Sequence, residues 1–366
     1  MTNAVDIAQS GTISSSWRNR IINGGMMISQ GAAGATITPA VTSAYVTNYP
    51  VDRFQVLVGA ATKLTTAQSS VAPAGFNFST LITSTSAYTV GAGEVFVIRQ
   101  NIEGFNTADL AWGTANAQTI TLTFWVRSSI TGTFGGSLQN SASNRSYPFT
   151  YTINSANTWE FETITIAGDT TGTWIGATND TGIRVNLGLG VGSTFSGTAG
   201  AWSGSDFDSA TGATSVVGTN GATFYVTGVQ LEAGSAASPF DYRDYGRELI
   251  MCQRYFETNY SGVAVGTASY AGYIMSAAVS NTVPQYQPYG AMLFNVAKRT
   301  APTVTLYGNQ GGSGKVSNYT GTDLTASSGS VNNSSIVGFN PYNGVAGTLT
   351  TTFNTIIFNY TASAEL

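Results

Sequence analysis

Short runs of alternating apolar and polar residues, each closed by glycine, asparagine, serine or threonine, constrain this chain more than any other feature. In QTITLTFWVRSS (118–129), Ile120, Leu122, Phe124 and Val126 fall on one face of an extended segment, and Thr119, Thr121, Thr123, Trp125 and Arg127 on the other. Alternating or continuously apolar runs also mark GEVFVIRQNIEG (93–104), WEFETITIAG (159–168), GIRVNLGLGVG (182–192) and ATFYVTGVQLEAG (222–234). Such runs, spaced tens of residues apart, predict an all-β chain whose larger part is a jelly-roll or β-sandwich with long loops. In WEFETITI the expected core face is Trp159 or Phe161 with Thr163, leaving Glu160 and Glu162 outward.

Composition agrees. Only 9% of the residues are charged, against a usual quarter, while 43 glycines and many Thr, Val and aromatic residues favour strands joined by tight turns. The net charge of −4 leaves no phosphate-binding footprint, so nucleic acid is not an expected partner. With no histidine and one cysteine, a Ser-His-Asp triad, a Cys-His dyad and the usual zinc sites cannot be built within the chain, and no cofactor is expected. The start, MTNAVDIAQSGTISSSW, lacks the basic and apolar regions of a signal peptide, and no run approaches 18 apolar residues. Synthesis in the cytoplasm without membrane insertion is therefore expected, and the sequons at Asn144, Asn259, Asn318 and Asn359 read as chance.

Residues 1–18 are small and polar without periodicity, which reads as an arm ordered only by a partner. All six tryptophans precede residue 203, and from about Tyr260 a second β pattern follows in YIMSAAV (273–279), GAMLFNVA (290–297), PTVTLYG (302–308), SIVGFN (335–340) and TTTFNTIIFNYTA (350–362). The expected division is an arm at 1–18, a sandwich at 19–243, a helical connector at 244–258 and a smaller β-sandwich module at 259–366. The connector, DYGRELIMCQRYFE, offers Asp244 as N-cap, with Tyr245, Leu249, Cys252 and Phe256 spaced along one helical face. About three turns are marginal alone. The helix therefore either caps its own sandwich or lies near an oligomer axis. Near the end, Ile356, Ile357 and Phe358 are consecutive, and a two-sided apolar strand needs cover on both faces. A second copy of a low-charge chain supplies it, so a homo-oligomer is expected, with Tyr245, Leu249, Cys252, Phe256, Ile356 and Phe358 as contact candidates.

Other chemistry reads as structural. GNQGGSGKV (308–316) fails the Walker pattern at Asn309 and Val316 and reads as a glycine-rich hairpin loop with Lys315 solvated. Glu160 with Glu162, and Asp206 with Asp208, are the candidate pairs for glycoside hydrolysis, and both read better as solvated residues. Trp112 and Trp202 lie in loop-like contexts, where an aromatic face can stack on a sugar ring, and they are the candidate glycan-binding residues.

NRIINGGMMIS (19–29) and VTGVQLEAGSAASPFDYR (226–243) resemble the opening and closing strands of carbohydrate-binding jelly-roll modules. FWVRSSITGTF (124–134), TWEFETITIAGDTTGTW (158–174) and YGRELIMCQRYFE (245–257) are similar to stretches of tailed-phage virion proteins: tail fibres, head fibres and decoration proteins. KRTAPTVTLYGNQGGSGKV (298–316) and FNYTASAEL (358–366) resemble a C-terminal module of phage fibres. The resemblance implies a non-enzymatic, trimeric virion fibre docked on capsid or tail through residues 1–18 and contacting host-surface glycans. A capsid decoration protein and a polysaccharide depolymerase are the alternatives it leaves open. It also implies a structural calcium near the first and last strands, but Met26, Met27, Ile28, Ser29, Thr227 and Gly228 stand where acidic ligands are needed.

Overall fold

The computed structural model describes residues 18–40, 46–270, 273–276, 287–288, 290–318, 322–323, 329–343 and 355–366. Among the described residues thirteen strands precede an α-helix: β1 (Val46–Val51), β2 (Phe54–Val58), β3 (Leu64–Ser69), β4 (Ser79–Ser84), β5 (Val95–Glu103), β6 (Ile120–Ser128), β7 (Gly132–Gln139), β8 (Ser146–Ile153), β9 (Glu160–Ile166), β10 (Thr181–Val191), β11 (Ser196–Gly197), β12 (Ser209–Ala210) and β13 (Thr223–Ala233). Two antiparallel sheets, β1-β2-β5-β10-β7-β8 and β3-β4-β13-β6-β9, make a β-sandwich. The five strands expected most strongly from alternation are β5, β6, β9, β10 and β13. The inward set of β6, Ile120, Leu122, Phe124 and Val126, is fully buried against Phe96, Ile98, Phe134 and Leu187 of the facing sheet.

The faces of β9 are opposite to the expectation. Its register on β6 sets Phe161 beside Trp125 and Glu162 beside Phe124, so Phe161 turns outward, 47% exposed. Glu160, Glu162, Ile164 and Ile166 share the inward face because their β6 partners are the core residues. The two acids lie toward one end of the strand, where Glu160 accepts bonds from the amides of Asn154 and Ser155 and burial raises the pKa of Glu162. Of the second pair, Asp206 is half-buried and accepts from Gln139 Nε2 (2.7 Å), while Asp208 is buried against Arg99 Nη2 (2.5 Å) rather than solvated.

Past the sandwich, α1 (Tyr245–Gln253) is capped by Asp244, whose Oδ1 accepts from Arg247 N (2.9 Å). Strands β14 (Phe256–Thr258), β15 (Tyr273–Ser276), β16 (Gln287–Pro288), β17 (Met292–Leu293), β18 (Thr303–Tyr307), β19 (Ser317–Asn318), β20 (Gly329–Asn332), β21 (Gly338–Asn343) and β22 (Thr355–Ser363) follow. Here β22 pairs with β14, β15, β18 and β19, while β21 pairs with β16, β17 and β20. Leu306, Phe339, Phe358 and Tyr360 form the core of this part. Beside it Lys298 is fully buried, its ammonium donating to Glu257 Oε2 (2.6 Å) and to the carbonyls of Gln253 (2.6 Å) and Val296 (2.9 Å), so all three donors are used. The 308–316 segment is the expected hairpin loop, closed by Gly308 N to Gly312 O (2.9 Å).

The two parts meet through charge-assisted bonds. Arg254 forks onto Glu103 (3.0 and 2.5 Å), which also accepts from Tyr255 Oη (2.6 Å). Arg53 lies 3.6 Å over the Tyr255 ring and pairs with Glu365. Arg299 donates to the carbonyls of Asn179, Ala364 and Glu365. Bonds from both sides of residues 254–256 make this junction a fixed joint.

Asp52 sits at the same joint, in the turn between β1 and β2. Its carboxylate accepts from Gln30 N (2.8 Å) and Gln30 Nε2 (2.5 Å), and the same Nε2 reaches Phe256 O (2.9 Å). Burial lifts its pKa to about 6 from an ordinary value of 3.8. A carboxyl with a raised folded pKa takes up a proton on folding between those values, so its contribution to stability falls as pH rises through about 4 to 6. Relative to Asp52→Asn, the wild type should lose on the order of 3 kcal/mol between pH 4 and pH 7 in urea denaturation. Parallel pH profiles for the two proteins would refute a buried, perturbed Asp52.

Candidate functional site

The site grows from the contact between residues 19–28 and β13. Asn19 is buried; its Nδ2 donates to Val229 O (3.0 Å) and its Oδ1 accepts from Ile21 N (3.0 Å) and Leu231 N (3.0 Å). Four residues on, Asn23 closes the next turn, donating to Ile28 O (2.8 Å) and Asp52 O (2.9 Å) and accepting from Ile28 N (3.0 Å). Gly24 lies so close to β13 that an added Cβ would stand 2.2 Å from Val229 O, which only glycine permits. The Asn-x-x-x-Asn-Gly-Gly stretch and the Val-x-Leu-Glu strand, far apart in sequence, are thus one structural unit.

The same strand shapes the segment that follows it. Glu232 accepts from Ser238 N (2.8 Å) and Ser238 Oγ (2.6 Å), and Gln230 Oε1 accepts from Asp241 N (2.8 Å). These bonds fold residues 234–242 back across the sheet and deliver Phe240 and Tyr242 beside Phe76. The three rings meet in a triangle with centroid separations of 4.9, 4.9 and 5.6 Å. The Phe76 turn needs Gly75, whose φ is +92° and whose α-carbon faces the Tyr242 hydroxyl.

These rings wall a cleft of about 250 Å³ floored by Asn23, Gly25 and Met27, with Asn77 at its rim and Arg243 and Glu248 at its end. Arg243 is committed to the fold, donating to Ile21 O (3.0 Å), Asn19 O and Glu248. Glu248 accepts from Asn23 N, which holds α1 against the floor. Tyr242 is 63% exposed, and neither its hydroxyl nor the Asn77 amide has a hydrogen-bond partner among the described residues. Exposed ring faces beside free hydroxyl and amide groups suit a ligand with apolar C–H faces and many hydroxyls.

The predicted glycan residues lie elsewhere. Trp112 is only 7% exposed and meets Trp174 (4.7 Å) and Trp202 (5.3 Å) edge-on. Each indole N–H is bonded, Trp112 to Gln118 O, Trp174 to Asp169 and Trp202 to Ala167 O, and Arg145 locks Asp169 with two 2.7 Å bonds. The structure brings Trp112 and Trp202 together as a packed cluster, and Trp112 does not present an open platform.

Of the expected inter-chain contacts, Cys252 and Phe358 turn into the chain itself. Cys252 is fully buried with Ile22, Ile28 and Tyr255, where burial pushes its thiol pKa up, and Leu249 packs on that same cluster. Phe358 is fully buried in the C-terminal core. Phe256 lies beyond α1, in β14, part-buried beside Gly31. Glu248 and Cys252 set the inward helical face, so Tyr245 is left 57% exposed. The side chain of Ile356, and the arm apart from Arg18, lie outside the described residues. Among the described residues no cluster of three or more acidic or sulfur ligands is placed to hold a metal, and no helix is long and apolar enough to cross a membrane. Phe76, Phe240 and Tyr242 were missed, although SPFDY, five residues after VQLE, and the PAGF turn both place aromatics in loops.

No family model matches the chain, and no curated protein matches it. Solved structures similar to it include the enzymatically active domain of tailspike protein 4 of bacteriophage CBA120, at 12% identity and a TM-score of 0.30, covering 60% of this chain and 22% of that one. A putative sugar-binding protein of Bacteroides thetaiotaomicron is similar at 9% identity and 0.30, covering 59% and 100%. The family 11 carbohydrate-binding module of Clostridium thermocellum, in complex with a mixed-linked tetrasaccharide, is similar at 10% identity and 0.28, covering 55% and 100%. At such scores the superpositions are loose, and the fold rests on the strand order given above.

The division of labour in the cleft is measurable. Arg243→Ala strands Glu248 and two carbonyls and should cost about 3–5 kcal/mol in equilibrium denaturation, whereas Tyr242→Ala should cost about 1 kcal/mol or less. Equal losses would mean that Tyr242 is part of the core.

Proposed function

We propose that this protein is a non-enzymatic, glycan-binding component of a tailed-phage virion, a trimeric fibre that holds host-surface polysaccharide. The observation that carries the glycan reading is the aromatic cleft, where Phe76, Phe240 and an exposed Tyr242 stand beside the unpartnered Asn77. Binding is favoured over cleavage because each candidate carboxylate pair has a member committed to its own chain, Asp208 to Arg99 and Glu160 to the 154–155 amides, which leaves neither pair with two free acids. The virion assignment is supported by the fibre-like stretches at 124–134, 158–174, 245–257 and 298–316. In this reading residues 1–18 dock the fibre on capsid or tail, and three copies turn a weak single site into firm attachment.

Two outcomes are expected. In calorimetric titration with host envelope polysaccharide, Tyr242→Ala should bind roughly tenfold more weakly, the equivalent of about 1.4 kcal/mol, with a melting temperature lowered by no more than about 2–4 °C. Affinity equal to wild type would remove the cleft from recognition. In sedimentation equilibrium the mass should be that of three 38.0 kDa chains; a monomer at micromolar concentration would end the trimer reading.

A further inference from the structure

The sheet that carries the cleft has a second unusual feature on its outward face. Trp125 and Phe161 are direct cross-strand neighbours on β6 and β9, with ring centroids 5.2 Å apart. Two residues along β6, Arg127 lies opposite Tyr225 of β13, its guanidinium 5.1 Å from that ring centre, and Trp159 meets the same Tyr225 at 6.1 Å. Arg127 Nε donates to Asn157 O (2.8 Å), while its terminal nitrogens have no partner among the described residues. Cross-strand aromatic pairs do stabilise a sheet by about 0.2–1 kcal/mol. Yet β9 fills its other outward positions with Thr163 and Thr165, so bulky rings are not a requirement of that face.

This aromatic face is continuous with the cleft. The register of β13 on β6 shifts between Thr227 and Gln230, and Gly228 in that bulge has φ +62°. A Cβ added there would stand 2.7 Å from Phe76 Cζ and 3.0 Å from Trp125 Cδ1, so a cleft ring and a sheet ring close on one backbone atom from two sides. From Tyr242 through Phe76 to Trp125 and on to Tyr225, rings succeed one another without an intervening acid. Two residues of strand alone span about 6.5 Å, so the row as a whole is longer than one sugar ring.

We propose that the cleft is the end of a longer track along the outward face of β9, β6 and β13, which takes an extended polysaccharide segment rather than a single terminal sugar. Rings spaced along a shallow face offer successive stacking positions to a chain of pyranose units, and the free nitrogens of Arg127 offer donors to their hydroxyls or acidic groups. The inference rests on the glycan reading of the cleft.

The test is a titration of the full-length protein with size-graded fragments of mixed-linkage β-glucan and of bacterial O-polysaccharide. Wild type is compared with Tyr242→Ala, Phe161→Ala and Trp159→Ala. Affinity is expected to rise with fragment length and then level off. Phe161→Ala and Trp159→Ala should each weaken long fragments about fivefold and leave the shortest unchanged, while Tyr242→Ala weakens all lengths. Affinity independent of length, or long fragments indifferent to Phe161 and Trp159, would overturn the track and leave the cleft standing. Failure of every fragment to bind wild type would instead overturn the glycan reading itself. A drop in sedimenting mass on Phe161→Ala would identify a second copy as the occupant of this face, and would equally overturn the track.

Discussion

The carboxamide of Asn19 is the contact on which the aromatic cleft depends. Buried between the start of the described sandwich and β13, it satisfies one carbonyl and two amides that the closure of the fold takes away from water. With that clasp in place, Gly24 lies against Val229 and residues 23–28 form the floor of the cleft. Without it, three buried backbone groups would lack partners, and the floor would be left to the backbone bonds Arg20 N to Leu231 O (2.9 Å) and Val229 N to Gly24 O (3.0 Å).

From this clasp β13 serves both of its faces. Its inward residues Phe224, Val226 and Leu231 complete the core, while Gln230 and Glu232 organise the returning segment that carries Phe240 and Tyr242. The bulge at Gly228 lets aromatic rings approach from the cleft and from the sheet face at once. Core packing and the aromatic surface are thus divided by side of the strand, and the rings can change with little cost to the core.

Much of the fold was legible because period-2 alternation is a direct print of a half-buried strand: Ile120, Leu122, Phe124 and Val126 went inward as read. The reading failed at β9, where Phe161 outranked Glu162 in hydrophobicity but lost to register. A strand takes its faces from its neighbour, and pairing is not written in the strand itself. The helix was found through Asp244 and its apolar spacing, and Leu249 and Cys252 pack inward as read, but Tyr245 is displaced to the surface because Glu248 is buried by the Asn23 amide and Arg243. The tryptophans misled for a similar reason. Loop composition around Trp112 and Trp202 suggested exposure, whereas the Arg145–Asp169 pair draws three loops into one indole cluster that buries Trp112 and leaves Trp202 half-buried. The aromatic cleft escaped because its rings come from segments over 160 residues apart in the chain, joined by side-chain bonds to Gln230 and Glu232 that no local pattern reveals.

The most direct test of the recognition surface is hydrogen–deuterium exchange of the full-length chain with and without saturating envelope polysaccharide. Slowed exchange is expected at residues 75–77 and 240–243, with little change in the C-terminal strands. Slowed exchange confined to residues 290–343, with none around Phe76 and Tyr242, would contradict the assignment of glycan recognition to this face.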